Sequence, residues 1–159
     1  MTYGWALLAL VIIVAVVISS GVLSMDSMIA EQCDFGNSAP CQFALFNNAS
    51  TSSTNIILSV YNSYPYKIRI DDLKIATQDG SQSFTWLPAF PTPPNNEIDS
   101  GANLTLFGKL TGTMLPGSGI KRFNGNLTYE SCAPELNSTG CSNSKHSVSG
   151  KIIGRIITG

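Results

Sequence analysis

Residues Trp5 to Leu23 read WALLALVIIVAVVISSGVL, apolar throughout apart from Ser19, Ser20 and Gly21. The wider tract from Met1 to Met25 holds no Asp, Glu, Lys, Arg or His. Nineteen such residues wound as an α-helix reach roughly 28 Å, close to the thickness of a bilayer's hydrocarbon core. The run contains twelve Leu, Ile and Val residues. At about −0.3 to −0.6 kcal/mol each, they favour insertion by on the order of 4 to 7 kcal/mol. The segment is therefore expected to enter a membrane or an equally apolar setting. A plain signal anchor would satisfy hydropathy alone. A cleavable secretory signal would show a basic start, a shorter apolar core and a small-residue cleavage site, none of which is found here. With no basic flank on either side of the run, a basic leader ahead of Met1 is expected.

The texture of the run adds to this. Gly4, Ala6, Ala9, Ala15 and Ser19 are small residues spread along the helix, and small residues let neighbouring helices approach closely. Beyond Leu23, Met25, Met28 and Ile29 keep a three-to-four-residue spacing, so the helix is expected to run on to about Ala30, some 43 Å from Thr2.

The tract Thr2, Tyr3, Gly4, Trp5, Ala6, followed by its aliphatic run, is similar to the N-terminal segment of archaeal type IV pilin-like proteins with a class III signal peptide. Those proteins carry a short Gln- and Glu-containing stretch before the tract. It is absent here, so neither a cleavage site nor an early helix acid is assigned. The resemblance implies a filament subunit whose apolar helices, including Gly4, Trp5, Ala6, Ala9, Ala15 and Ser19, leave the membrane and pack into a filament core. It also implies a close pair of cysteines just after the helix, extracellular β heads on the outside, and adhesion. An archaeal flagellin-like subunit shares the same plan. A membrane-anchored extracellular binding module would instead keep its helix in lipid.

About 130 of the 159 residues lie beyond the helix, enough for one domain with its own core. Charged residues make up 12% of the chain against roughly 25% in an average domain, with Ser, Thr and Asn in their place. A net charge of −1 without a basic stripe excludes nucleic acid as an expected partner. So weak a charge leaves the surface in need of another hydrophilic cover or a partner. Four N-x-[ST] sequons offer one: Asn48-Ala49-Ser50, Asn103-Leu104-Thr105, Asn126-Leu127-Thr128 and Asn137-Ser138-Thr139. N-linked glycan is expected on some of them.

Cys33, Cys41, Cys132 and Cys141 admit three pairings, and their spacings lack the close pairs of a zinc site. Two local bridges, Cys33–Cys41 and Cys132–Cys141, each bracket a turn-rich loop and stabilise by about 2.6 kcal/mol in the chain-entropy model. Cross-linking of the N-terminal pair to the C-terminal pair stays open. Any of these implies an oxidising, extracellular setting.

After Cys41 the hydrophobic period changes towards two. Strands are read at Gln42–Asn47, Asn55–Ser63, Tyr66–Ile70 with a continuation at Leu73–Ala76, Ser83–Leu87, Ala102–Leu110, Lys121–Tyr129 and Ser147–Thr158. Asp79-Gly80 is a turn, and the four prolines of Pro88–Asn96 make a surface loop. Gly150 and Gly154 fall on the apolar face of the last strand and indicate close packing or a bulge. The expected fold is α+β: a long N-terminal hydrophobic helix (1–31) followed by an antiparallel, Ig-like β-sandwich head (32–159).

No pattern argues for catalysis, and no cofactor or metal is expected. His146 is the single histidine, and Asp71-Asp72 lacks the rest of a calcium loop. Trp86 with Phe84 and Phe90 could line a sugar-binding face, but core packing is the commoner role of such residues. The sequence thus points to a self-assembling extracellular filament subunit, inserted in a membrane before assembly.

Overall fold

A computed structural model of the chain describes residues 3–19, 30–36, 39–117, 119–133, 140–142 and 144–157. It divides into two compact units, Met1–Ala30 and Glu31–Gly159. In the first, α1 spans Tyr3–Ser19. Its 17 residues measure about 26 Å. The expected continuation towards Ala30 falls on residues 20–29, outside those described, and Ala30 itself is not helical. Among the described residues no helix is long and apolar enough to cross a membrane, which corrects the expectation of a long, membrane-spanning helix.

The second unit is built of nine described strands. They are β1 (Gln32–Asp34), β2 (Cys41–Asn48), β3 (Ser53–Tyr61), β4 (Ile68–Thr77), β5 (Phe84–Trp86), β6 (Glu97–Ile98), β7 (Asn103–Leu110), β8 (Ile120–Ser131) and β9 (Lys145–Ile157). A 3₁₀ turn, Ala49–Thr51, joins β2 to β3, with the Asn48 side chain accepting the Ser50 N–H.

The head is one curled sheet, not the Ig-like sandwich of two separate sheets read from the strand pattern. Its order is β5-β7-β3-β2-β9-β8-β4-β6, with β1 on the side of β9. The physical reason lies in β9, which is 13 residues long and serves several partners. One edge pairs antiparallel with β8 from Ile120 to Glu130. The other takes β1 opposite Lys151–Ile153, then β2 in parallel opposite Ile156 and Ile157. That short parallel contact stitches the β2–β3–β7–β5 half to the β8–β4–β6 half, and the sheet curls around a single core.

Alternation along the strands supplies that core. Ile56, Leu58 and Val60 of β3, Ile68, Ile70, Leu73 and Ile75 of β4, Phe123 and Leu127 of β8, and Ile152 of β9 are all fully buried. The odd step between Ile70 and Leu73 is a β-bulge, which keeps both on the core side. Phe35, which follows β1, is also fully buried and lies on two glycines that face each other across β8 and β9, Gly125 and Gly150. A Cβ on Gly125 would come within 2.6 Å of Phe35 Cζ. Close approach of an aromatic ring is thus the reason for glycine on this face. The two halves are also tied by Trp86, whose Nε1–H donates to the Leu73 carbonyl at 2.7 Å.

Candidate functional site

Two surfaces of the molecule lack the usual mixture of charge. The first is α1. Every residue from Tyr3 to Val16 is exposed, as is Ser19, with Tyr3 at 86% and Trp5 at 80%. A helix apolar on all faces is stable in water only when covered. Successive residues step by about 100° around the helix axis, so Gly4, Leu8, Val11, Ala15 and Ser19 share one face. Ala6 and Ala9 lie away from it. Small residues are therefore present on more than one side, with no single seam. Ser19 returns its hydroxyl to the Val16 carbonyl at 3.0 Å.

The second surface belongs to the head. Strands β2, β3, β5 and β7 contain one charged residue between them, Lys109. The outward side chains include Phe46, Ile57, Tyr61 and Phe107, the last three 37–42% exposed. The Phe46 and Phe107 rings sit 6.0 Å apart. All other charges on strands fall on β1, β4, β6, β8 and β9. There they form a cross-strand rung. Lys145, Glu130, Arg69 and Glu97 are register partners on β9, β8, β4 and β6, with alternating sign. Arg69 is ion-paired with the buried Glu130 carboxylate. The bulge brings Asp71 onto the same face, 3.7 Å from Arg69 and 2.9 Å from Lys145. The Asp71 carboxylate, by hydrogen bond and charge, holds the Lys145 ammonium above its ordinary pKa. A hollow of about 560 Å³ lies over this rung, walled by Phe90 and Pro93. Its two acids and two bases cancel.

The residues singled out in the sequence are placed as follows. The disulfides join Cys33 to Cys41 and Cys132 to Cys141. Asn103 and Asn126 are exposed on outward faces of β7 and β8, Asn48 is half-buried, and Asn137 lies outside the described residues. Asp72 pairs with Lys74 at 3.2 Å. Among the described residues no group of three or more His, Cys, Asp and Glu side chains is placed to hold a metal. Phe84 packs edge-on to Phe123, and Trp86 covers Gly108. These two rings therefore belong to the packing between strands, not to an open sugar face. His146 stacks on Tyr129 with centroids 5.4 Å apart. Tyr129 in turn meets Tyr64, hydroxyl to hydroxyl at 2.5 Å. Burial first, then the Tyr64 hydroxyl, push the Tyr129 phenol up. This aromatic row closes one end of the core.

The sparsely charged half of the head was not foreseen. Its signal is nonetheless in the sequence: no charged residue lies between Asp34 and Lys67, between Asp79 and Glu97, or between Asp99 and Lys109.

No family model matches the chain, and no curated protein matches it. Among solved structures it is similar to the Salmonella enterica SafA pilin in complex with the SafB chaperone, with 18% identity and a TM-score of 0.38. The match covers 76% of this chain and 56% of that one, so the chain accounts for little more than half of its length. A likeness this distant carries no functional weight.

Proposed function

We propose that the chain is a non-catalytic structural subunit of an extracellular filament, pilin-like in role. The observation that carries this reading is α1, uncharged and exposed around its whole circumference. Such a helix must be covered. Lipid is one such cover. The α1 helices of other copies are a better one, because they bring the same uncharged surface and small residues for close approach. A contact of this kind that does not close on itself propagates as a helical polymer.

Within that class, the T-Y-G-W-A tract supports an archaeal type IV pilin-like subunit, held in a membrane before assembly, with glycosylated heads that serve in adhesion. The two disulfides fit the oxidising, extracellular setting this requires.

The test uses Ala9→Trp and Ala15→Trp, made separately. Both keep the helix apolar, so membrane association persists. In a close-packed core the added volume costs roughly 1–3 kcal/mol per subunit. Cells expressing each variant are sheared, and fibre yield is compared with the membrane-bound pool. Fibres should be scarce while precursor accumulates. Normal fibre yield from both variants would refute a core of close-packed helices.

A further inference from the structure

The strand edges of the head are guarded unequally. An unpaired edge invites pairing with another chain, and proteins blunt it with charge, proline, a bulge or short length. Edge strand β6 has two residues, one of them Glu97, and β5 has three. The part of β4 that extends past β6 carries Asp71, Asp72, Lys74 and a bulge. Strand β7 differs. It pairs with β3 along one side from Asn103 to Lys109 without irregularity. On its other side β5 covers only Gly108–Leu110, with one more hydrogen bond from the Leu87 N–H to the Phe107 carbonyl. Among the described residues, Asn103-Leu104-Thr105-Leu106 has no strand on that side. This stretch has no charge and no proline, and it adjoins the face of Phe46, Ile57 and Phe107, on which Lys109 is the one charged residue of β2, β3, β5 and β7. What it does have is a sequon.

We propose that Asn103 carries an N-linked glycan that guards the open edge of β7 and covers the sparsely charged face beside it. The inference rests on the exported, glycosylated head argued above, and adds which sequon is used and to what end. Asn103 and Thr105 are two apart on a strand, so both point outward, and both donate to Ser59 Oγ, at 2.8 and 3.1 Å. Tyr61, 42% exposed, is the register partner of Asn103 on β3. A hollow of about 270 Å³ beside Asn103, lined by Pro40, Cys41, Gln42, Ser59 and Tyr61, holds no charged group. It lies on the β2–β3 side of Asn103, so a first sugar resting on the Tyr61 ring there covers the face, and the sugars beyond it extend over the β7 edge.

Asn126 is exposed as well, but it stands among Lys74, Asn124 and Lys151 on a face already hydrophilic. In the modification, Asn103 Nδ2 attacks the anomeric carbon of a sugar carried on a lipid phosphate. The C–N bond forms as the anomeric C–O bond breaks, and the lipid phosphate departs with the electron pair. One Nδ2 proton passes to the released phosphate, and no group is oxidised or reduced. The remaining N–H can still donate to Ser59.

The experiment compares the full chain with Asn103→Gln, Asn103→Lys and Thr105→Ser, all exported from a glycosylating host and held in one detergent. Mass spectrometry of the Asn103 peptide reads the site, sedimentation reads association, and circular dichroism confirms that each variant is folded. The wild type and Thr105→Ser should carry sugar mass at Asn103. Asn103→Gln should lose it and associate at about tenfold lower protein concentration. Asn103→Lys should lose it yet stay dispersed, because a lysine replaces the sugar as edge guard. A bare Asn103 beside a modified Asn48 or Asn126 would overturn the assignment and leave the glycosylated head intact. Bare peptides at all sequons would overturn both. A glycosylated Asn103 whose Gln variant disperses like wild type, or a Lys variant that associates like Gln, would overturn the guarding role.

Discussion

Phe35 and Gly125 offer a sharp test of why the sheet curls as it does. Phe35 is 1% exposed, and truncation to Ala should cost about 3–5 kcal/mol through lost burial and the cavity left behind. Gly125→Ala introduces a Cβ whose closest neighbours, Cε1 and Cζ at 2.5 and 2.6 Å, both belong to the Phe35 ring. Overpacking of this kind costs about 1–3 kcal/mol. With Phe35 already truncated, the same methyl enters vacated space. Alanine's smaller loss of chain entropy should then make the change favourable by about 0.5–1 kcal/mol. The two substitutions should therefore couple by about 1.5–4 kcal/mol, with the double variant more stable than the sum of the singles. Guanidinium unfolding of the four proteins in one detergent, followed by near-ultraviolet circular dichroism, measures the cycle. Additivity to within about 0.5 kcal/mol would refute the claim that glycine is required there by the ring.

Other consequences can be checked in the same way. Glu130→Ala should destabilise by about 1.5–3 kcal/mol, since Arg69 loses its buried partner and keeps Asp71 at 3.7 Å, whereas Lys145→Ala, on a side chain 63% exposed, should cost under about 1 kcal/mol in the same unfolding assay. Replacing Cys132 and Cys141 together by Ser should cost about 2.6 kcal/mol and leave the Cys33–Cys41 linkage intact in non-reducing peptide maps. The Thr77 hydroxyl and then Ser81 hold the Asp79 carboxyl down to about 2, so its contribution is complete above the ordinary value of 3.8 and is lost as pH falls through about 2; Asp79→Asn should flatten that acid limb of the stability curve. The Lys145 ammonium is raised from 10.5, so its contribution is complete below that value and is lost as pH rises through the higher folded pKa; Lys145→Met should flatten the alkaline limb.

The sequence by itself determined the face of most strands and the chemical character of the N-terminal segment. These follow from local rules. A run without charge from Met1 to Met25 is apolar in any conformation, and a strand with period-two alternation must turn Ile56, Leu58 and Val60 the same way. The extension at Leu73–Ala76 past Asp71 was legible for the same reason, because alternation resumes after one extra residue. The disulfide loops could be read as local because each is short and rich in turn residues.

What only the tertiary structure decided is where chain segments far apart in sequence meet. Strand β1 is three residues long and β6 two, too short to carry a period, and both exist because β9 and β4 offer them an edge. The parallel contact of β2 with the end of β9 joins residues more than a hundred positions apart, and hydrophobic alternation is blind to strand order. Hence one curled sheet replaced the sandwich. The same blindness hid the sparsely charged surface of the head. Each strand's charge content is plain in the sequence. That the four strands with a single lysine should lie side by side, with a sequon on their open edge, is a property of pairing. Pairing is set by the long-range packing of Phe35, Trp86 and the buried aliphatic residues around one core.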